Sequence, residues 1–173
     1  MTMNTTWIAL LRGINVGGGN KLPMADLRAI CEGIGWQNIR TYIASGNVVF
    51  EADGAAEALA SKLHQNLPLD VPVLVLSAHD LANRLAHCPF PNGAGNTVHG
   101  FFCLDAPDVD EDVIAQFATT EKVIVQGHTV WLYAPDGFGR SKLAENFHRV
   151  VTSTTYTARN FNTIRKLVEM SCD

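Results

Sequence analysis

A strand whose two faces are both apolar cannot lie on a protein surface, and this chain opens with one. From Trp7 to Leu11 every residue is apolar, Ile8 and Leu10 alternating with Trp7, Ala9 and Leu11. The stretch Val71 to Leu76 repeats the pattern, with Val73 and Val75 set against Leu74 and Leu76. Period-two alternation sends these sets to opposite faces, so each such strand needs two covers. Between them, Pro23 suits a first helical turn, and Met24, Leu27, Ile30, Cys31 and Ile34 mark one helix face that Gly35 ends. Ile39 to Ala44 predicts a strand, Ser45-Gly46-Asn47 a turn and Val48 to Phe50 its hairpin partner. After Asp53-Gly54, Leu59, Leu63 and Leu67 line a second helix that stops before Pro68. The order is β-α-β-β-α-β, the ferredoxin-like unit. That unit carries its helices on one face only, so the rest of the chain is expected to pack on the other.

Ser77 can cap a short helix through Leu85, and Asn92-Gly93-Ala94-Gly95-Asn96 marks the best internal boundary. Thr97 to Leu104 predicts a strand, and Val109, Val113, Ile114 and Phe117 a helix face. A hairpin around Gly127-His128 joins Lys122–Val125 to Val130–Tyr133. Ser141 begins a helix with Leu143, Phe147 and Val150, and a hydroxyl-rich link, Thr152 to Thr157, leads to a last helix with Phe161, Ile164 and Val168. The expected fold is α+β, a ferredoxin-like β-α-β-β-α-β first half packed on a second β-α-β-β-α-α half. The segments are 1–77, a connecting helix and loop over 78–96, and 97–173. The halves share a pattern of elements but no repeat of residues.

The net charge of −4 over 173 residues argues against a sequence-independent nucleic-acid coat, which needs broad positive potential. Cys31, Cys88, Cys103 and Cys172 have no Cys-x-x-Cys spacing, which fits free thiols in a reducing, cytoplasmic setting. No run approaches the ~20 apolar residues that span a bilayer. Nothing in the spacing of six histidines suggests a metal, and the sequence leaves any cofactor unknown. The acidic run Asp105 to Asp112 reads as a solvated helix start. A monomer or weak oligomer is expected.

Four stretches carry more polar chemistry than local structure needs. Gly13-Ile14-Asn15-Val16-Gly17-Gly18-Gly19-Asn20-Lys21 joins the first strand to the first helix. Glycines there free backbone N–H groups to converge on an anion at a helix start. The loop misses the phosphate-binding fingerprint, because Gly19 follows Gly18 where that pattern has lysine. It reads as a ligand-binding loop, an ordered turn or a hinge, with Lys21 as the discriminating cation. Ser45-Gly46-Asn47 is a hairpin turn first and a site second. Gly139-Arg140-Ser141-Lys142 sets a serine cap beside two cations, which oppose the helix dipole unless an anion joins them. In Thr157-Ala158-Arg159-Asn160-Phe161-Asn162-Thr163, Thr157 can cap, and Arg159, Asn162 and Lys166 share a face by helical spacing. These groups bind phosphate or carboxylate, or pin the helix to its neighbours.

The same stretches, Leu10 to Gly18, Ser45 to Phe50, Gly139 to Leu143 and Arg159 to Thr163, resemble a bacterial domain-of-unknown-function family, number sixteen-ninety-seven. The resemblance covers nearly the whole chain and implies a two-subdomain α+β fold with a ferredoxin-like first half. It implies no particular activity. Gly19 stands where relatives often carry lysine, Ala44 where glutamine is usual and Phe161 where tryptophan is frequent.

The expectation for function is a small anionic ligand, phosphate- or carboxylate-bearing and of nucleotide type among others, in a cleft between the halves. The residues expected to hold it are Arg12, Asn15, Gly17, Gly18, Lys21, Ser45, Asn47, Ser141, Lys142, Arg159, Asn160, Asn162 and Thr163. Catalysis is left open. The alternatives are an interaction module without chemistry and, last, a single-stranded nucleic-acid binder, which needs exposed aromatics on an open sheet face.

Overall fold

The computed structural model describes residues 4–172. Contacts divide the chain into two compact units, one running to Asn83 and resuming at Lys166, the other from Arg84 to Arg165.

In the first unit, β1 (Thr5–Leu11), β2 (Gln37–Tyr42), β3 (Asn47–Ala52) and β4 (Val73–Ser77) form an antiparallel sheet in the order β2-β3-β1-β4. Helices α1 (Met24–Ile34) and α2 (Ala56–Asn66) are the two crossovers, so the predicted β-α-β-β-α-β order is present. Trp7, Ala9, Leu11, Val48, Phe50 and Val75 share one face and form a core with Leu27 and Cys31 of α1 and Leu59 and Leu63 of α2. Trp36 stacks on Phe50 with ring centroids 3.7 Å apart. On the other face, register aligns Ile8 with Val49 and Leu76, and Leu10 with Leu74. All five are buried, as two-sided apolar alternation demands. Burying such a side chain contributes about 1.5–3 kcal/mol, so an exposed second face would forfeit much of the fold's stability. Helix α3 (Ala78–Ala86) follows β4 directly, with the Asp80 N–H donating to Ser77 Oγ at 3.0 Å, the predicted cap.

The second unit holds β5 (Val98–Cys103), α4 (Glu111–Phe117), β6 (Lys122–Gln126), β7 (Thr129–Tyr133) and β8 (Tyr156–Asn160). Its antiparallel sheet has the order β6-β7-β5-β8, the same permutation as the first. Phe101, Cys103, Val130 and Leu132 of the sheet pack with Val113, Leu143, Phe147 and Val150 from the helical side. Asp110 caps α4 by accepting from the N–H groups of Asp112 and Val113 at 3.0 and 3.2 Å.

Two expectations need correction. The second half is not β-α-β-β-α-α: a fourth strand, β8, occupies Tyr156–Asn160. There Thr157 and Arg159 alternate with Ala158 and pair with Phe102 and Gly100 of β5, a period of two hidden by the polar residue types. The last helix, α7 (Phe161–Ser171), therefore begins after Arg159, which shares no helix face with Asn162. Second, the helix predicted from Ser141 is two short turns, α5 (Lys142–Glu145) and α6 (Phe147–Val150), broken at Asn146. The Asn146 side chain donates back to the Lys142 carbonyl at 2.8 Å, competing with the helix ladder. Leu143, Phe147 and Val150 are nevertheless all buried.

Candidate functional site

The glycine loop of the first unit folds on itself. Val16 and Gly19 bridge, the Gly19 N–H donating to the Val16 carbonyl at 3.0 Å, and Gly17 and Gly18 between them have φ of 58° and 76°. Two consecutive left-handed residues make the tight turn that glycine accepts without strain. Asn15 fastens this turn to its surroundings. Its Nδ2 donates to the Leu22 and Ala44 carbonyls, both at 2.8 Å, and its Oδ1 accepts from the Leu22 N–H at 2.8 Å. Both amide hydrogens are thus used within the protein, so Asn15 acts as a staple between the loop and the turn after β2. That turn is equally constrained. Gly46 has φ of 91°, and a Cβ there would lie 2.8 Å from Ile14 Cδ1 and 2.9 Å from Leu11 Cβ. Asn47, wholly buried, donates from Nδ2 to the Tyr42 carbonyl and to Ser45 Oγ, both at 2.9 Å.

Between these elements lies a pocket of about 390 Å³ lined by Asn15, Gly18, Lys21, Leu22, Pro23, Met24 and Ala44. One wall is the start of α1, where Pro23 supplies no side-chain cap. The first-turn N–H groups of a helix have no partners in that helix, and their dipoles favour negative charge. Lys21, exposed, is the cation of the lining. Leu22, Pro23, Met24 and Ala44 add apolar surface beside the Asn15 amide, and Ala44 contributes only a small side chain. The predicted residues Asn15, Gly18 and Lys21 thus line one cavity, and Arg12, Gly17, Ser45 and Asn47 belong to the adjoining loops. Leu22, Pro23, Met24 and Ala44 are lining residues that motif reading missed, although Leu22 and Ala44 directly flank a motif and Pro23 and Met24 follow Leu22. Ile43, next to Ala44, is a β-branched residue at φ of 51° and is 51 % exposed. Val16, in the glycine turn, is 59 % exposed.

In the second unit the predicted residues have local employment. Ser141 Oγ accepts from the Ala144 N–H at 3.0 Å and caps α5. Asn160 Oδ1 accepts from the Thr163 N–H at 2.9 Å, so Asn160, and not Thr157, caps α7. The Asn162 side chain lies against Gly95, where an added Cβ would overlap its amide. Thr163 is buried, and Lys142 is exposed. Arg159 is buried, and desolvation pulls its guanidinium down to about 10; its Nη1 donates to the Ala158 carbonyl at 2.8 Å.

No sequence signal singled out His99. It stacks on Phe138 with centroids 3.7 Å apart, and its Nδ1 is buried without a hydrogen-bond partner. Burial lowers its pKa to about 4, which keeps the ring neutral at ordinary pH. Cys31, Cys88 and Cys103 are buried, and Cys172 is exposed. Desolvation raises Cys31 to about 12 and Cys103 to about 11, far from the range of a nucleophilic thiolate. All four are free, and among the described residues no group of three His, Cys, Asp or Glu side chains is placed to hold a metal ion. Nor is any described helix long and apolar enough to cross a membrane.

A conserved bacterial protein from Streptococcus pneumoniae has a similar structure, with a TM-score of 0.72 and 25% sequence identity over 98% of this chain and 99% of that one. No curated protein matches the chain. A family model described as protein of unknown function (DUF1697) matches residues 3–131, a span that takes in the glycine loop, the Gly46 turn and the sheet through Trp131. That span is more than half of the chain, and the chain belongs to the family of proteins of unknown function DUF1697.

Proposed function

We propose that the protein binds a small anionic molecule, phosphate- or carboxylate-bearing, at the glycine-loop pocket of the first unit. The observation that supports this reading is the combination, in one cavity of about 390 Å³, of Lys21, the uncapped start of α1 and the apolar side chains of Leu22, Pro23, Met24 and Ala44. An ammonium and a helix start favour a negative group at one end, while Leu22, Pro23, Met24 and Ala44 favour an apolar body at the other. Asn15 and Gly46 hold the frame, so its shape is set before a ligand arrives. A thermal-shift screen of nucleotides, sugar phosphates and carboxylates tests this. A ligand at 100 times its dissociation constant should add about 2.7 kcal/mol. Lys21→Ala should weaken that ligand by about tenfold, the worth of one charge-assisted hydrogen bond, without lowering the melting temperature of the free protein. No stabilising anion in the screen, or one indifferent to Lys21, would refute the reading.

An interaction module without catalysis is the second reading, favoured by Val16 and Ile43, two exposed apolar side chains on adjoining turns. It predicts that Ile43→Asp abolishes capture of a protein partner while leaving every small-molecule shift intact.

A further inference from the structure

The edges of the two sheets are β2 and β4 in the first unit and β6 and β8 in the second. An edge strand presents unpaired N–H and C=O groups, and proteins guard it with bulges, proline, charge or cover. Three edges here are guarded. Strand β2 carries a register shift between Gln37 and Arg40, with Asn38 at φ of 50°. Strands β4 and β8 bury most of their side chains. Strand β6 differs: it pairs with β7 in unbroken register and has neither proline nor glycine. Every one of its side chains except Val123 is exposed, Ile124 at 39 % and Val125 at 41 %. Apart from Lys122 at one end it carries no charge.

The hairpin determines which backbone groups face outward. A two-residue turn, Gly127-His128, with Gly127 at φ of 56°, closes on Gln126 and Thr129. In such a hairpin the pair flanking the turn exchanges both hydrogen bonds, and bonded pairs then alternate along the ladder. Lys122, Ile124 and Gln126 therefore bond to β7, and the N–H and C=O groups of Val123 and Val125 point away from it.

We propose that β6 pairs antiparallel with β6 of a second copy of this chain, about a two-fold axis through Ile124. The sequence Lys122-Val123-Ile124-Val125-Gln126 is self-complementary in that register. Val123 meets Val125 of the copy, and these are the residues whose backbone groups are outward, so the bonded pairs fall where donors and acceptors stand ready. Ile124 meets its own counterpart across the axis, in the close non-bonded pair where apolar side chains touch. Lys122 meets Gln126, so no like charges face each other. Pairing in this way unites two four-stranded sheets into one of eight strands and is closed by its symmetry. Five paired residues bury little area, which places the association among weak, concentration-dependent ones.

Sedimentation velocity of the full chain tests this over about 10 µM to 1 mM, the range in which a small interface associates. The wild type should pass from monomer to dimer. Val125→Pro removes one outward N–H without touching a bond to β7, and should remain monomeric. Ile124→Lys and Ile124→Glu should each be monomeric alone, because each sets like charges across the axis, and should associate when mixed. A wild type that stays monomeric throughout overturns the proposal, and so does a Val125→Pro variant that dimerises like the wild type. If Val125→Pro does not fold, the charge pair decides: a mixture that stays monomeric overturns it.

Discussion

At the scale of single residues, the loops around the pocket are held by steric and hydrogen-bond demands that few side chains meet. Gly46 shows the steric kind. With φ of 91° and a Cβ position 2.9 Å from Leu11 Cβ, Gly46→Ala should destabilise the protein by about 2–4 kcal/mol in a denaturant titration. Gly18→Ala meets no atom and carries only the cost of its left-handed backbone, about 1–2 kcal/mol. Equal effects at the two sites would show that the contacts at Gly46 are relieved by movement of both Leu11 and Ile14. His99 shows the electrostatic kind. Its pKa falls from 6.5 to about 4 on folding through burial, so between those values the unfolded chain binds the proton and the folded one does not. The stabilising contribution is complete above about pH 6.5 and is lost as pH falls towards 4, at most a few kcal/mol in all. His99→Phe keeps a ring on Phe138 and should flatten the acid side of the stability profile over that window. An unchanged slope would mean that other groups carry it.

At the scale of elements, helix α4 depends on its cap. It has only seven residues, and Asp110 answers two of its first N–H groups while Glu111 and Asp112 sit in its first turn. Asp110→Ala should cost about 1 kcal/mol, and amide exchange should rise in α4 before it rises in β5. Uniform loss of protection across the second unit would instead make α4 part of its global cooperative core. The strand β8 teaches the opposite lesson. Its residues, Tyr156-Thr157-Ala158-Arg159-Asn160, carry hydroxyl, guanidinium and amide groups that suit helix starts and anion sites. Pairing with β5 overrides that local preference, since strand propensity depends on the surface a segment joins. Asn160 then ends the strand and caps α7 in one residue.

At the scale of the whole molecule, the chain leaves its first unit at Asn83 and returns to it at Lys166, within α7. The returning segment is tied in by Arg40 Nη1, which donates to the Met170 carbonyl, and it carries the buried Leu167. Ending the chain at Arg165 should therefore weaken the first unit, although every strand of its sheet is retained. Burial of Leu167 alone is worth about 1.5–3 kcal/mol, so a lowered melting temperature and faster exchange of β2 amides are expected. A truncated chain that melts like the full one would assign α7's last turns no part in that stability.

The two-sided strands, the crossover helices, the hairpin turns and the buried face of each helix follow from period and turn chemistry, which act over a few neighbouring residues. For that reason β1, β4 and both hairpins were legible, and Leu143, Phe147 and Val150 were recognisable as core even though their helix is broken. The motif glycines were also legible, because Gly17, Gly18 and Gly46 need backbone conformations that few residues adopt. Their roles were not. Whether Asn15 would bind a ligand or staple two turns depends on carbonyls seven and twenty-nine residues away, and only the folded chain brings those within 2.8 Å. His99, Ile43 and the strand β8 were hidden for the same reason: burial, left-handed strain and sheet pairing are properties of what surrounds a residue, and a lone sequence lists only what precedes and follows it.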